Sequence, residues 1–296
     1  MEAERRLGTL YLVTTPIGNL QDLSPRAAAA LGEADLVVAE DTRRAHKLLS
    51  HLQLHKPLES FHGDSDTRKQ ERLVRRLQDG QSLAYVSDGG TPGVADPGRE
   101  LVCAAVAAGA PVVPVPGPCA LITALSVSGM LADRFVFAGF PPRKAGEREA
   151  FLRRFMGMGL TVVLYEAPHR AAETLQAIAG VAADRPVVVG RELTKQHEEL
   201  LRGTAAELAA VFAEREPRGE FAIIIEGGMN ETEPAGAPSV ETAVRRLLQA
   251  GLGVRDTAGV LADLGLAARR EAYQLALAMK EEGMETEENS DTTVES

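Results

Sequence analysis

Residues 82–98 read SLAYVSDGGTPGVADPG. The first five are short and apolar, the pattern of a strand buried on both faces. The twelve that follow hold four glycines, two prolines and two aspartates. Asp96 and Pro97 are start signals for a helix. Strand, glycine-rich turn and helix form the repeating unit of a parallel α/β sheet, where ligands bind outside the carboxyl ends of the strands. The stretch therefore sets a fold class and marks a place for a site. Free amides near a helix start suit a carboxylate or phosphate, and the glycines let a ligand approach the backbone. A branched side chain at Gly90 is expected to block that approach and leave the fold intact.

Working outward, the same alternation runs back to Gly8. Strands are expected at 9–13 and 35–39. Helices are expected from Pro25 behind a Ser24 cap, over 42–52, and from an Asp66 cap to Gln78. Beyond the glycine stretch, a helix follows Pro97 and a strand lies at 111–115. A second set begins after Gly117. Its helices are expected over 118–128, 146–155, 170–179 and 204–213, and its strands at 135–137, 160–165, 186–189, 199–202 and 221–225. These strands are shorter and carry fewer long crossovers, so this sheet is expected to be mixed. MNETEPAGAP, 229–238, reads as a linker. Residues 239–277 show three helical stretches, and the acidic end after Met279 is expected to be disordered. The expected organisation is α/β: two α/β domains, 8–117 and 118–228, then a helix-turn-helix-like module at 239–279 and a tail at 280–296.

The 296 residues are 45% hydrophobic and 25% charged, which excludes a wholly disordered or fibrous chain. No run reaches the roughly 18 apolar residues of a membrane span. The best candidate, 101–116, is broken by Gly109, Pro111 and Pro114. The first six residues carry two acids and no apolar core follows, so no signal peptide is expected and the chain reads as cytoplasmic. The net charge is −10, but residues 280–296 hold seven acids and one base, leaving −4 for residues 1–279. Acidity thus says little about the body and does not exclude a nucleic-acid partner. Cys103 and Cys119 cannot build a disulfide framework or a four-ligand zinc site. Cys103, in an apolar helix, is expected to be packed. His46, His51 and His55 do not share one helix face, so no metal is expected.

Two further runs lie where chemistry belongs. TPIGNL, 15–20, follows the first strand. PVPGPCA, 114–120, lies at the handover between the two sets. The Rossmann fingerprint is missing after the first strand, which argues against a dinucleotide oxidoreductase. The 82–98 stretch has no Gly-Lys-Ser/Thr, which argues against a Walker-type nucleotide site.

Read in order, TPIGNLQDLS, AEDTRR (39–44), SDGGTPGVADPG and PGPCALITALSVSG resemble the tetrapyrrole-methylase superfamily. FVFAGFPPRK (135–144), LYEAPHR (164–170), RELTKQHEEL (191–200) and RGT (202–204) continue the likeness. Within the superfamily the pattern is similar to the bacterial enzymes that methylate the ribose 2′-oxygen of a decoding-centre cytidine in small-subunit ribosomal RNA. Gly89 stands where Ala is usual, and Cys119 where Ser is usual. The resemblance implies a homodimer, with S-adenosyl-L-methionine folded into the cleft between the domains. By position the methyl donor meets Pro16, Gly89, Gly90, Thr91, Val94, Cys119 and Ala120, then Tyr165, Glu166 and Gly203 from the second set.

The partner implied is 16S rRNA in the small ribosomal subunit. Arg43, Arg44, His169, Arg170, Arg245 and Arg246 are the residues expected to grip its phosphates. Methyl transfer from a sulfonium demands no metal. It needs alignment and help for the hydroxyl to lose its proton. Asp41, Glu192 and Lys195 are the candidate catalytic bases, and the sequence does not choose among them. A tetrapyrrole-methylating enzyme is a rival reading, which the appended helices disfavour. A non-enzymatic ribosome-binding protein is another, disfavoured by the intact glycine loops.

Overall fold

The computed structural model describes residues 7–62, 67–215, 218–228 and 240–291, with side chains as far as Lys280. The chain forms two compact units, Met1–Gly228 and Met229–Ser296. The first begins with β1 (Leu10–Val13), α1 (Pro25–Glu33), β2 (Leu36–Ala39), α2 (Thr42–His51), β3 (Leu58–Ser60), α3 (Thr67–Gln78), β4 (Leu83–Val86), α4 (Gly98–Ala107) and β5 (Val112–Val115). These five strands form one sheet, ordered β3-β2-β4-β1-β5 and parallel throughout. Alternate residues serve opposite faces. Val13, Val37, Ala84 and Val86 pack with α1 and α2, while Leu10, Leu36, Leu83 and Tyr85 pack with α3 and α4. Burial on both faces is why these strands read as unbroken apolar runs.

Local chemistry sets the helix starts. The Ser24 hydroxyl accepts the Ala27 N–H at 3.1 Å, with Pro25 in the first turn. Asp41 caps α2 by accepting the Arg43 N–H at 2.8 Å. Asp66, the expected cap of α3, lies outside the described residues. β3 was not legible: it is a three-residue edge strand whose Glu59 takes Arg72 at 2.9 Å and Arg76 at 3.0 Å. Cys103 departs from expectation. It is exposed, because the inward stripe of α4 is Leu101 and Ala105, four residues apart.

The second half of this unit contains α5 (Ala120–Ser128), β6 (Phe135–Gly139), α6 (Ala145–Met156), β7 (Thr161–Glu166), α7 (Ala171–Val181), β8 (Pro186–Arg191), β9 (Glu199–Thr204), α8 (Ala205–Ala213) and β10 (Phe221–Ile225). The sheet is mixed and ordered β6-β7-β10-β8-β9, with only the β6–β7 pair parallel. One face packs α6, α7 and α8 against Val162, Leu164, Val187, Val189, Ile223 and Ile225. The other packs α5 against Val163, Val188 and Ile224, joined by Ile17 and Val94 from loops of the first sheet. Those two loops carry the apolar contact between the halves.

The second unit comprises α9 (Val240–Gln249), α10 (Val254–Asp263) and α11 (Arg269–Asp291) around Val244, Ala258, Leu261, Ala272 and Ala276. The α11 backbone runs into the stretch for which composition predicts disorder. Glu, Lys and Met are good helix formers, and no proline interrupts them before Asp291. Among the described residues no helix is long and apolar enough to cross a membrane.

Candidate active site

A cleft of about 460 Å³ opens between the two sheets of the Met1–Gly228 unit. From the first half it is lined by Ile17, Glu40, Arg44, Asp88, Gly89, Val94 and Ala95. From the second it is lined by Ala120, Phe140, Tyr165 to Pro168, Gly190, Leu193 and Glu220 to Ala222. The first-half residues follow β1, β2 and β4, so the site occupies the carboxyl ends of parallel strands.

The glycine loop is held from within. Thr15 donates its N–H to the Gly90 carbonyl at 2.9 Å, and the Thr91 hydroxyl donates to the Pro118 carbonyl at 3.2 Å. Asp96 Oδ1 accepts the N–H groups of Gly93 at 2.8 Å and Gly98 at 2.7 Å. Gly89 N–H donates to the Ser87 hydroxyl, Gly90 N–H to the Ser87 carbonyl and Val94 N–H to the Thr91 carbonyl. The amides of Gly89, Gly90, Gly93, Val94 and Gly98 are thus engaged within the loop. What the loop offers a ligand is a close, rigid backbone surface. Gly89 is exposed on that surface. Gly90 is buried at φ +87°, and a Cβ there would lie 2.4 Å from Ile17 Cγ2. A branched residue at Gly90 would therefore strain the loop itself as well as obstruct a ligand's approach.

Of the residues implied to meet the methyl donor, Gly89, Val94, Ala120, Tyr165 and Glu166 line the cleft. Pro16, Gly90, Thr91, Cys119 and Gly203 do not. Cys119 is the N-cap residue of α5, and Gly203 lies in β9 against Glu207 of the α8 capping box. The Tyr165 hydroxyl accepts the Leu121 N–H at 2.8 Å, and burial pushes that hydroxyl far above the usual tyrosine range. Its ring meets Phe137 and Phe140 at 4.9 and 5.8 Å. Glu166 has a fully buried carboxylate that accepts the Thr174 hydroxyl at 2.6 Å and lies 3.5 Å from Arg170. Arg170 also donates to the carbonyls of Pro141 and Pro142. Its side chain therefore braces the cleft wall, while the adjacent His169 is exposed.

The three candidate bases are all paired. Asp41 lies at 2.8 Å from Arg43, whose hydrogen bonds hold its pKa down at about 2. Burial works against the charge on Glu192, but hydrogen bonds from Lys195 and the Glu220 N–H outweigh it and lower its pKa. Burial likewise opposes charge on Lys195, yet Glu192 at 2.8 Å and Glu220 at 3.0 Å raise its pKa. The loop carrying this pair is strained, with Glu192 at φ 50° and Thr194 at φ 65°. Glu220 continues the chain of charges across the cleft, lying 3.9 Å from Arg44, which is 3.7 Å from Asp88. Arg43 is exposed beside its partner Asp41, and Arg245 and Arg246 are exposed on α9.

Glu40, Asp88, Phe140, Leu193 and Glu220 line the cleft without having been singled out from sequence. For Glu40 and Asp88 a signal existed, since each stands within two residues of the carboxyl end of a predicted buried strand. Among the described residues no three His, Cys, Asp or Glu side chains converge as metal ligands.

A parallel sheet and a mixed sheet thus face one cleft, with a glycine loop in its wall. The chain belongs to the tetrapyrrole (corrin/porphyrin) methylase family, whose profile matches residues 9–209. It is 43% identical over 279 residues to the ribosomal RNA small subunit methyltransferase I of Synechocystis, covering 94% of this chain and all of that one. The enzyme of the same name from Escherichia coli O157:H7 is 40% identical over 278 residues, covering 93% and 96%. Among solved structures, the Thermus thermophilus uroporphyrin-III C-methyl transferase complexed with S-adenyl homocysteine aligns at a TM-score of 0.53. Its identity is 21%, covering 73% of this chain and 97% of that one, a likeness of fold.

Proposed function

We propose that this protein transfers a methyl group from S-adenosyl-L-methionine to the ribose 2′-oxygen of a decoding-centre cytidine in 16S rRNA, acting in the cytoplasm as a homodimer. The observation that carries the reading is the cleft. Its volume falls within the roughly 300–1,000 Å³ of small-molecule sites. Ile17, Val94, Ala120 and Leu193 give it apolar walls, Tyr165 and Phe140 offer rings for a purine, and Asp88 and Glu220 suit a cationic donor. Bound there, the donor supplies an activated methyl carbon on a sulfonium, so that no metal is needed. The chain supplies alignment. Gly89 admits close approach, and Tyr165 is fixed through Leu121.

The names of the two relatives support an rRNA substrate, and the second unit agrees with it. A groove there of about 560 Å³ is lined by Arg255, Arg269 and Arg270 with Ala258 and Tyr273. Three guanidiniums and one ring suit a phosphate backbone with an adjacent base. Calorimetry with S-adenosyl-L-methionine, followed by labelled methyl transfer to purified small subunits and to naked RNA, tests the proposal. Micromolar binding and label on ribose of the subunit RNA are expected. Absence of donor binding, or no label on the RNA of either substrate, would overturn it.

A further inference from the structure

We propose that Glu40 is the catalytic base that takes the proton from the acceptor hydroxyl, an inference that rests on the methyl-transfer reading above. Four carboxylates line the cleft: Glu40, Asp88, Glu166 and Glu220. Three are otherwise occupied. Glu166 is fully buried and held by Thr174 and Arg170. Asp88 accepts the Asp41 N–H at 3.3 Å and pairs with Arg44 at 3.7 Å. Glu220 is paired to Lys195 at 3.0 Å. Glu40 forms no ion pair with a cation among the described residues; it accepts the backbone N–H of Asp88.

Its position follows from the fold. Glu40 is the first residue after β2, so it stands at the carboxyl end of a rigid parallel strand. Strand ends place side chains more firmly than loop tips do. The groups around it also favour protonation. Burial first, then the charge of Asp88, raise its pKa; the Asp88 N–H opposes them, Asp96 adds a smaller push upward and Arg44 a still smaller pull down, and the net shift is upward. Tyr85, beneath it, is buried and uncharged in this setting. A carboxylate with a raised pKa is a better proton acceptor than the paired Asp41 or Glu192.

The step balances. A lone pair of the hydroxyl oxygen forms the bond to the methyl carbon. The carbon–sulfur bond breaks with its electrons passing to sulfur, which becomes a neutral thioether. The hydroxyl proton goes to the Glu40 carboxylate and from there to water.

The test compares wild type, Glu40→Gln and Glu40→Asp in three measurements: methyl transfer to small subunits against pH, calorimetric affinity for S-adenosyl-L-methionine, and melting temperature at pH 8 and pH 4. For Glu40→Gln, kcat should fall by about 10²-fold or more, with donor affinity and subunit KM within about threefold of wild type. The acidic limb of the wild-type kcat profile should vanish. Glu40→Asp should recover part of the rate. Because a raised carboxylate pKa makes the ionised form costly in the fold, Glu40→Gln should melt higher than wild type at pH 8 and no differently at pH 4. A kcat within fivefold of wild type, or a fall matched by lost donor binding, overturns the proposal. If the wild type itself neither binds the donor nor labels subunits, it is the methyl-transfer reading that fails.

Discussion

The Lys195 ammonium lies 2.8 Å from the Glu192 carboxylate, and this contact neutralises two side chains that the sequence offered as bases. It also closes a strained turn after β8, in which Glu192 Oε1 accepts the Glu220 N–H at 3.0 Å. Lys195→Met should cost about 0.5–1 kcal/mol, since the pair is only partly shielded. The pH dependence has a definite sign. Glu192, with a lowered pKa, contributes above the usual carboxylate value of about 4.3, and its contribution is lost as pH falls through the folded value. Lys195, with a raised pKa, contributes below about 10.4 and loses its share at higher pH. Urea unfolding should therefore show a gap between wild type and variant at pH 7 that closes at pH 3. A gap unchanged at pH 3 would contradict this assignment.

Gly18 is exposed, yet it has no room for a side chain. A Cβ there would lie 2.4 Å from Lys195 Cγ, 2.6 Å from Thr194 Oγ1 and 2.9 Å from the Leu193 carbonyl. Ile17 and Leu193 on either side of this contact both line the cleft. Gly18→Ala should destabilise by about 1–3 kcal/mol and weaken S-adenosyl-L-methionine binding. Gly180→Ala is the matching control. Gly180 lies within α7 with nothing near its Cβ position, so the change should stabilise by about 0.5–1 kcal/mol. Melting curves and calorimetry of the two variants check both signs.

Glu166 is a buried carboxylate in the cleft wall, and Thr174 is its closest partner at 2.6 Å. Thr174→Val keeps the shape and removes the donor. It should cost about 1–3 kcal/mol, because a buried charge loses a hydrogen bond. Thr174→Ser should restore most of that stability. Denaturant midpoints of the two variants separate the hydroxyl from mere packing.

Both sheets were legible in the sequence because their buried strands alternate with capped helices. Ser24-Pro25 and Thr204 announce helix starts by chemistry that acts within three residues. β3 was not legible, since an edge strand of three residues holding Glu59 carries no apolar pattern. Arg170 and His169 are neighbours in sequence, and only the fold shows that one braces Pro141 and Pro142 while the other faces solvent. The same limit hid Glu40. The charges that raise its pKa, Asp88 and Asp96, lie about fifty residues away in the chain and are brought near it by the β2–β4 pairing.

The arginine-lined groove of the second unit is built to meet phosphates. Arg255 lies in the first turn of α10, and Arg269 and Arg270 open α11; the three guanidiniums line one groove together with Tyr273. Such a cluster of like charges gains nothing from its own proximity and favours an anionic partner. Each phosphate it neutralises releases counterions, so its contribution to RNA binding should weaken steeply with salt. The changes Arg255→Ala, Arg269→Ala and Arg270→Ala, made together, should leave donor affinity within about twofold of wild type, because the donor cleft belongs to the other unit. Binding to the small subunit should weaken by about 10-fold or more at 100 mM salt, and the slope of log K against log[salt] should become shallower by about two to three. Tyr273→Ala should lower subunit affinity with little change in slope, since stacking is less salt-dependent than phosphate contact. Filter binding of labelled subunits across a salt series, with calorimetry for the donor, separates the two contributions. If the triple variant binds and methylates subunits as wild type does across the series, the groove plays no part in RNA recognition.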